Sequence, residues 1–505
     1  MAEGGQGHLL RTRRFLPFFL TQALGAFNDN LFKNALVILI LFQGATLAGL
    51  SPTDLSIAAA GLFILPFFLF SATFGQLADK YEKSRLIRLS KLLEIAIMAL
   101  AAVGLALGSV VLLLAVLFLM GTQSTLFGPV KYGILPQHLK PEELIGGNAL
   151  VESATFLAIL LGMIAGTVLM GLGALSTTAV SLAVLLVAVL GYASSRAVPA
   201  APATDPGLAI DWNPARETLR NLRFLGAQRT LFLSVLGISW FWFYGATVIQ
   251  VLPGYARDVL GGGEQVVTLL LTLFSIGVGA GSLLCEKLSR RTVEIGLVPL
   301  GAFGLTVFGV DLYFAQPQAS AAHGLSALGF LQQPGAWRVA LDLVLTGVFG
   351  GFFIVPLYAL IQQRSDPAHR SRIIAGNNIL NAAFMVAAAL LSLLALGAGL
   401  SLPQLLLATA LLNLAVAVYI FTLVPEFLMR FLSWLLVNLL YRLEVRGIEQ
   451  QVPDAGAALL VCNHVSYMDA LLLAGAVPRP VRFVMYHRIF DIPGLRQVFR
   501  AARAI

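Results

Sequence analysis

The sequence predicts an all-α membrane protein of twelve transmembrane helices in two halves of six, followed by a smaller, partial α/β segment. Three observations predict it. The 505 residues are 58% hydrophobic and only 11% charged, with a mean hydropathy of +0.86. An ordinary globular chain carries about 25% charged residues. Apolar segments of about 20 residues, the length that crosses a bilayer, recur along the chain. A polar, Pro-containing stretch at 193–229 divides them six and six, and the composition changes after about residue 425.

The elements follow in order. The first apolar segment, 15–42, is too long for the core of a signal peptide and closes on no small-residue cleavage site, so it reads as a retained helix. Five more spans follow at 55–77, 87–107, 110–127, 145–170 and 177–192. The second set is 231–253, 266–285, 293–314, 339–361, 373–396 and 405–424. The expected units are therefore a first half at 1–192, a central loop at 193–229, a second half at 230–425 and a remainder at 426–505.

The net charge is +8. Its placement explains it without a nucleic-acid partner, and none is expected. Arg11, Arg13 and Arg14 precede the first helix; Lys80, Lys83 and Arg85 follow the second; Lys131 and Lys140 are assigned to the loop after the fourth. Arg216, Arg220, Arg223 and Arg229 fill the central loop, Lys287, Arg290 and Arg291 follow the eighth helix, and Arg364, Arg370 and Arg372 follow the tenth. The alternate loops 43–54 and 171–176 hold no Lys or Arg. This bias puts both termini and the central loop on the cytoplasmic side. The two cysteines, Cys285 and Cys462, offer neither a disulfide framework nor a metal motif, and no metal is expected.

Inside the first helix lies Ala26-Phe27-Asn28-Asp29-Asn30-Leu31-Phe32-Lys33-Asn34. A charge within a membrane is costly and marks a candidate site. Asp29 and Lys33 are four residues apart, as are Asn30 and Asn34, so each pair shares one side of the helix. Two readings stand: a polar stripe facing a wet cavity, or an Asp29–Lys33 pair that only neutralises itself.

The two halves echo one another. Gly147-Asn148-Ala149-Leu150 returns as Gly376-Asn377-Asn378-Ile379, and Glu152 then corresponds to Asn381. Phe127-Gly128-Pro129 has a counterpart in the Gly-rich run before Pro356. Paired halves of this kind suit a transporter whose site lies between them.

The loop Gly75-Gln-Leu-Ala-Asp79-Lys80-Tyr-Glu-Lys83-Ser-Arg85 has a looser echo ending in Glu286-Lys287. Gly75 permits close helix approach. Asp79 can accept from basic groups and from a helix N-terminus, which would latch the halves together. The stretch resembles the G-x-x-x-D-R/K loop motif of the major facilitator superfamily, which implies a twelve-helix major facilitator fold with gating roles for Gly75, Asp79, Lys80 and Arg85. The set narrows further. Ala26 to Asn30, Lys131-Tyr-Gly-Ile-Leu135, Gly147 to Ser153 and Gly350 to Leu357 resemble the bacterial lysophospholipid transporters of that superfamily. That resemblance spans about 15–424. It implies movement of lysophospholipids, chiefly lysophosphatidylethanolamine, from the outer to the inner leaflet of the inner membrane, without a cofactor. It also marks Asp29, Asn30, Lys131 and Glu152 as head-group and gating residues. Asn28 and Lys33 stand where the family pattern is expected to be less polar.

A phosphoethanolamine head needs an acid for its ammonium and a base or several donors for its phosphate. Asp29 and Glu152 can serve the first, Lys33 and Lys131 the second, with Asn34, Asn377 and Asn381 beside them. For Lys131 a plain positive-inside role stands equally. Trp240, Trp242 and Tyr244 are either cavity walls or an interfacial belt.

After 424 the chain changes character. Residues 427–443, with Arg430 and Arg442, read as an interfacial amphipathic helix. Val445-Arg-Gly447 and 457–461 read as short strands. The second ends in Asn463-His464-Val465-Ser466-Tyr467-Met468-Asp469, and a helix follows. This H-x-x-x-x-D block resembles that of the glycerolipid acyltransferases, which implies His464 as general base on an acceptor hydroxyl and Asp469 as its orienting partner. A satisfied surface histidine is the other reading. The resemblance implies an acyl donor that is an acyl carrier protein or coenzyme A thioester. The family's later Arg-containing and F-P-E-G blocks do not follow before Ile505, and a longer fusion protein is expected. Three functions remain: a lysophospholipid transporter joined to a lysophospholipid acyltransferase, a drug or small-solute exporter of the same superfamily joined to a lipid enzyme, and an enzyme whose helices only anchor it. The expected partners are the lysolipid, membrane lipids and an acyl carrier protein.

Overall fold

The computed structural model describes residues 6–42, 52–289, 294–315, 324–423, 425–441, 443–445, 452, 457–466, 468–477, 481–502 and 504–505. Among these the regular structure is helical, with a single isolated bridge between Gly262 and Leu325. The first half comprises α1 (Leu16–Phe42), α2 (Pro52–Lys80), α3 (Lys83–Leu107), α4 (Val110–His138), α5 (Leu144–Met170) and α6 (Ser176–Ser195). A shorter helix α7 (Pro214–Ala227) leads into α8 (Arg229–Gly254), α9 (Glu264–Ser289), α10 (Leu297–Phe314), α11 (Ala327–Leu331), α12 (Ala336–Arg364), α13 (Arg370–Gly397) and α14 (Leu402–Leu423). Then come α15 (Pro425–Leu440), α16 (Met468–Ala476), α17 (His487–Phe490) and α18 (Leu495–Ala501).

Eleven of the described helices are long and apolar enough to cross a membrane. α1, 27 residues long, carries Asn28, Asp29, Asn30, Lys33 and Asn34 within an otherwise apolar sequence. Three expectations need correction. α4 does not stop at 127 but continues through Pro129 and Pro136 to His138, so Lys131 lies inside a helix and not in a loop. The central segment is not all loop, because α7 forms within it. Residues 457–461 run extended, yet no described segment pairs with them as a strand; 446 and 447 lie outside the described residues.

Small residues set the helix spacing. Gly162 and Gly166 of α5 lie against the α1 backbone, where a Cβ would meet Leu31 N at 3.1 Å and Leu31 O at 2.8 Å respectively. Gly277 and Gly281 of α9 meet α12 in the same way, with Gly347 and Gly351 opposite. Such close approach is what packs helices that share an apolar surrounding. The halves meet toward the end that carries the basic loops, here called the basic end. There α2 lies against α13 and α5 against α9. Ser153 Oγ donates to Gly279 O at 2.9 Å, and Asn148 and Gln362 exchange amide hydrogen bonds at 2.6 and 3.1 Å.

Candidate functional site

α1 presents its polar residues in two directions. Asn28 is buried and turned toward α3, where its amide donates to Glu94 Oε1 at 2.9 Å. Lys91 Nζ donates to the other Glu94 oxygen at 2.6 Å, and both side chains are almost fully buried. This ion pair was not anticipated from the sequence, although two opposite charges three residues apart in an apolar span are a readable signal. Asp29, Asn30, Lys33 and Asn34 are each partly exposed. Asp29 does not pair with Lys33. Its carboxylate accepts from Ser124 Oγ of α4 at 2.6 Å, while Lys33 Nζ lies 4.4 Å from the centre of the Phe63 ring. Asn30 donates to Ala26 O of its own helix; Asn34 donates to Met163 O and Thr167 Oγ1 of α5.

A second group joins the halves. Glu152 of α5 is fully buried; Tyr132 OH of α4 donates to its Oε1 at 2.6 Å, and its Oε2 has no hydrogen-bond partner. The Tyr132 ring stacks on Tyr358 of α12 at 4.4 Å with planes 5° apart, so an aromatic pair from opposite halves covers the carboxylate. Lys131 does not reach Glu152. It donates to Thr155 Oγ1 at 2.9 Å, and Thr155 in turn donates to Gln22 Oε1 of α1 at 3.0 Å. Asn377 is buried beside Tyr358 with neither amide atom in hydrogen-bond geometry. Asn381 Oδ1 accepts from Ser239 Oγ of α8 at 2.8 Å.

The aromatic cluster at the start of the second half belongs to the interior and not to an interfacial belt. Trp242 stacks on Phe156 of the first half at 6.2 Å. Trp240 Nε1 donates to Asn413 Oδ1 at 2.8 Å, and Tyr244 OH to Leu305 O at 3.0 Å. Each polar handle finds a buried acceptor, which is what an aromatic side chain requires inside a bundle.

At the basic end, Asp79 is fully buried at the end of α2 and faces the first turn of α13. It accepts from Ser371 N at 3.1 Å, from Arg372 N at 3.3 Å and from Arg372 Nε at 3.2 Å. A helix N-terminus and a guanidinium thus serve one carboxylate. Gly75, one turn earlier, lets α13 come close: a Cβ there would lie 2.7 Å from Ala375 Cβ. The segment after α6 adds to the cluster. Thr204 Oγ1 donates to Asp79 Oδ1 at 3.1 Å, and Asp205 accepts from Arg372 Nη2 at 3.3 Å. Of the other candidate gating residues, Lys80 makes a ring contact with Tyr81, and Arg85 turns to Glu82 with its side chain 83% exposed. Lys83, which was not singled out as a gating residue, is the one buried beside Asp79.

A separate site lies behind α15. His464 Nδ1 and Asp469 Oδ2 are 3.1 Å apart. The same carboxylate oxygen accepts from Val465 N at 2.7 Å and Ser466 N at 2.9 Å at the start of α16. The N–H groups of Ser466 and Val465 hold Asp469 below the ordinary carboxylate range, so it stays ionised beside the imidazole. The His464 side chain is 71% exposed, and a cleft of about 420 Å³ runs past Asp469, Cys462 and Leu472. α15 holds this region to the bundle. Phe431 joins the core of the second half, and Arg430 pairs with Glu294 and donates to Val477 O at 3.4 Å.

Comparison with known proteins identifies the family and the fold. The Major Facilitator Superfamily model matches residues 18–344, and an acyltransferase model matches 442–505. The lysophospholipid transporter LplT of Klebsiella pneumoniae (strain 342) is 30% identical over 373 residues, which span 70% of this chain and 81% of that protein. LplT of Enterobacter sp. (strain 638) is 29% identical over 345 residues, spanning 68% and 78%. The human organic anion transporter MFSD10 (TETRAN) superposes with a TM-score of 0.65 at 14% identity, covering 81% of this chain and 99% of its own. FucP in its outward conformation gives 0.59 at 13%, covering 81% and 99%. These two structural likenesses concern the fold. The chain belongs to the major facilitator superfamily, among its lysophospholipid transporters, and carries an acyltransferase domain joined behind the transporter.

Proposed function

We propose that the protein moves lysophospholipids of the lysophosphatidylethanolamine type from the outer to the inner leaflet of a bacterial inner membrane. The segment 426–505, an interfacial helix followed by an α/β acyltransferase domain, then serves their re-acylation. In this reading the basic end is cytoplasmic and carries both termini and the central segment. α1 is a twelfth crossing helix, and the transporter divides into halves at 1–192 and 230–425. The name of the relatives supports the cargo.

The observation that carries the reading is the partly exposed acid and base on α1. Asp29 and Lys33 sit one turn apart and are not spent on each other. An ammonium can be taken by Asp29 and a phosphate by Lys33, each as a charge-assisted contact. Asn30 and Asn34 continue the same side of the helix. Lys131, Glu152, Asn377 and Asn381 form the inner part of the route, where Glu152 is reached once the Tyr132–Tyr358 stack parts. Asp79 with Arg372 and Gly75 close the basic end. At the acyltransferase site, His464 takes the proton of the lysolipid hydroxyl, held in position by ionised Asp469. The oxygen attacks the carbonyl carbon of an acyl thioester, the C–S bond breaks, and the proton passes to the leaving thiolate. The thioester belongs to acyl carrier protein or coenzyme A.

Proteoliposomes carrying fluorescent lysophosphatidylethanolamine, compared with a panel of drugs, test the transport step. The wild-type protein should move the lysolipid and not the drugs. Asp29→Ala should reduce movement to the protein-free rate while the protein remains folded. Wild-type movement in a folded Asp29→Ala protein would overturn the site, and movement of drugs alone would point to an exporter.

A further inference from the structure

The outward face of α7 has no role in the site described above. The helix is set locally: Asn213 accepts from Arg216 N at 3.1 Å, and Pro214 occupies the first helical position. Its inward face is committed to the protein. Glu217, Asn221 and Leu225 are buried, and Gly376 of α13 leaves the space that Leu225 and Asn221 fill. The outward face carries Arg216, Leu219, Arg220 and Arg223, all exposed, with Trp212 just before the helix. Steps of three and four residues keep 216, 219, 220 and 223 on one side. Trp212 is 70% exposed and Leu219 57%. A ring, an aliphatic chain and arginines interleaved on one face match the head-group level of a bilayer. The position agrees, because α7 runs at Arg229 directly into α8, which is long and apolar enough to cross a membrane. The face also carries surplus positive charge. Arg216 lies 3.5 Å from Asp211 and Arg220 3.7 Å from Glu217, but among the described residues Arg223 has no carboxylate within ion-pair distance.

We propose that the outward face of α7 binds anionic phospholipid head groups of the leaflet at the basic end. The forked guanidinium groups take phosphate oxygens, while Trp212 and Leu219 enter the boundary between head groups and acyl chains. The charge complementarity selects an anionic lipid over a zwitterionic one. The inference stands independently of the transported cargo.

Energy transfer from tryptophan to dansyl-phosphatidylglycerol, titrated into the full chain in phosphatidylcholine nanodiscs, tests it. The wild type should give saturable transfer, reduced in Trp212→Phe. Raising the salt from about 0.1 M to about 1 M should abolish the saturable signal, because the screening length falls to about 3 Å. The triple variant Arg216→Gln, Arg220→Gln, Arg223→Gln should need roughly a hundred-fold more lipid. The corresponding Arg→Lys triple should titrate within a few-fold of wild type, which separates lost charge from lost folding. Dansyl-phosphatidylcholine and inorganic phosphate at matched ionic strength should neither saturate nor compete. A glutamine triple that titrates like the wild type would overturn the proposal. So would equal binding of the zwitterionic probe, a lysine triple as weak as the glutamine one, or displacement by inorganic phosphate.

Discussion

Asp79 gathers three donors from α13, and the guanidinium that supplies one of them is as deeply buried as the carboxylate. Removing the acid strips the buried guanidinium of its fully buried carboxylate and leaves it Asp205 and Ala368 O, so the cost stays below the roughly 3–5 kcal/mol of a buried charge left unpaired. Asp79→Ala should therefore shift the population toward opening at the basic end. Labelling of a cysteine placed at Ser371 should rise against the same cysteine in the wild-type background, and unchanged labelling would refute the latch. Lys91 and Glu94 obey the same arithmetic within the first half. Glu94→Gln should lower stability by about 3–5 kcal/mol, and Glu94→Gln with Lys91→Met should recover much of it; thermal unfolding of the two variants measures this. These residues also show where sequence reasoning reaches its limit. Asp79 was legible because its loop has a fixed pattern. Arg372 was legible only as a loop charge, since nothing local tells that a carboxylate far back in the chain will meet it. The direction of Asn28 was likewise hidden, because its reason is Glu94 on another helix.

At the scale of elements, the junction between α2 and α3 depends on Glu82. Its carboxylate accepts from Ser84 N and Arg85 N at 3.0 Å, capping α3, and from Ala201 N at 2.8 Å, which ties down the segment after α6. Burial alone would raise its pKa, but the N–H groups of Ala201, Ser84 and Arg85 and the Ser84 hydroxyl outweigh burial and hold it below the ordinary value. A lowered folded-state pKa gives stability that is present above the unfolded value and lost as pH falls through the folded one. The contribution should thus be complete near neutrality and fade below about pH 4.5. Glu82→Gln should cost about 1 kcal/mol at neutral pH, a typical loss for a cap, and the gap from wild type should narrow on acidification. A gap independent of pH would show that the charge is not what matters. The long helices were legible from apolar length. The end of α4 was not, since Pro129 and Pro136 read as breakers, while neighbouring helices accommodate the freed backbone groups. α7 was hidden by the polarity of its surroundings, yet Asn213-Pro214 is a start signal that can be read.

Taken as a whole, the molecule is closed at its basic end and carries its second chemical site at that same end. The closure runs from Asp79 and Arg372 through Asn148 and Gln362 to the Tyr132–Tyr358 stack. α15 fastens the acyltransferase region there: Phe431 is embedded in the bundle core, and Arg430 joins Glu294 of the transporter to the end of α16. A lysolipid released at the basic end would emerge into the leaflet beside α15, near His464. The two activities should then be separable by the side from which the lipid is offered. Asp29→Ala should block acylation of lysolipid supplied at the outer leaflet and leave acylation of lysolipid supplied at the basic end unchanged. His464→Ala should abolish both acylations while transport continues, because the general base acts after the lipid has crossed. Product formation from sidedness-controlled vesicles, followed with labelled lysophosphatidylethanolamine, reads out each arm. Equal loss from both leaflets in Asp29→Ala would refute the division of labour, since the α1 site would then be shaping the acyltransferase rather than feeding it.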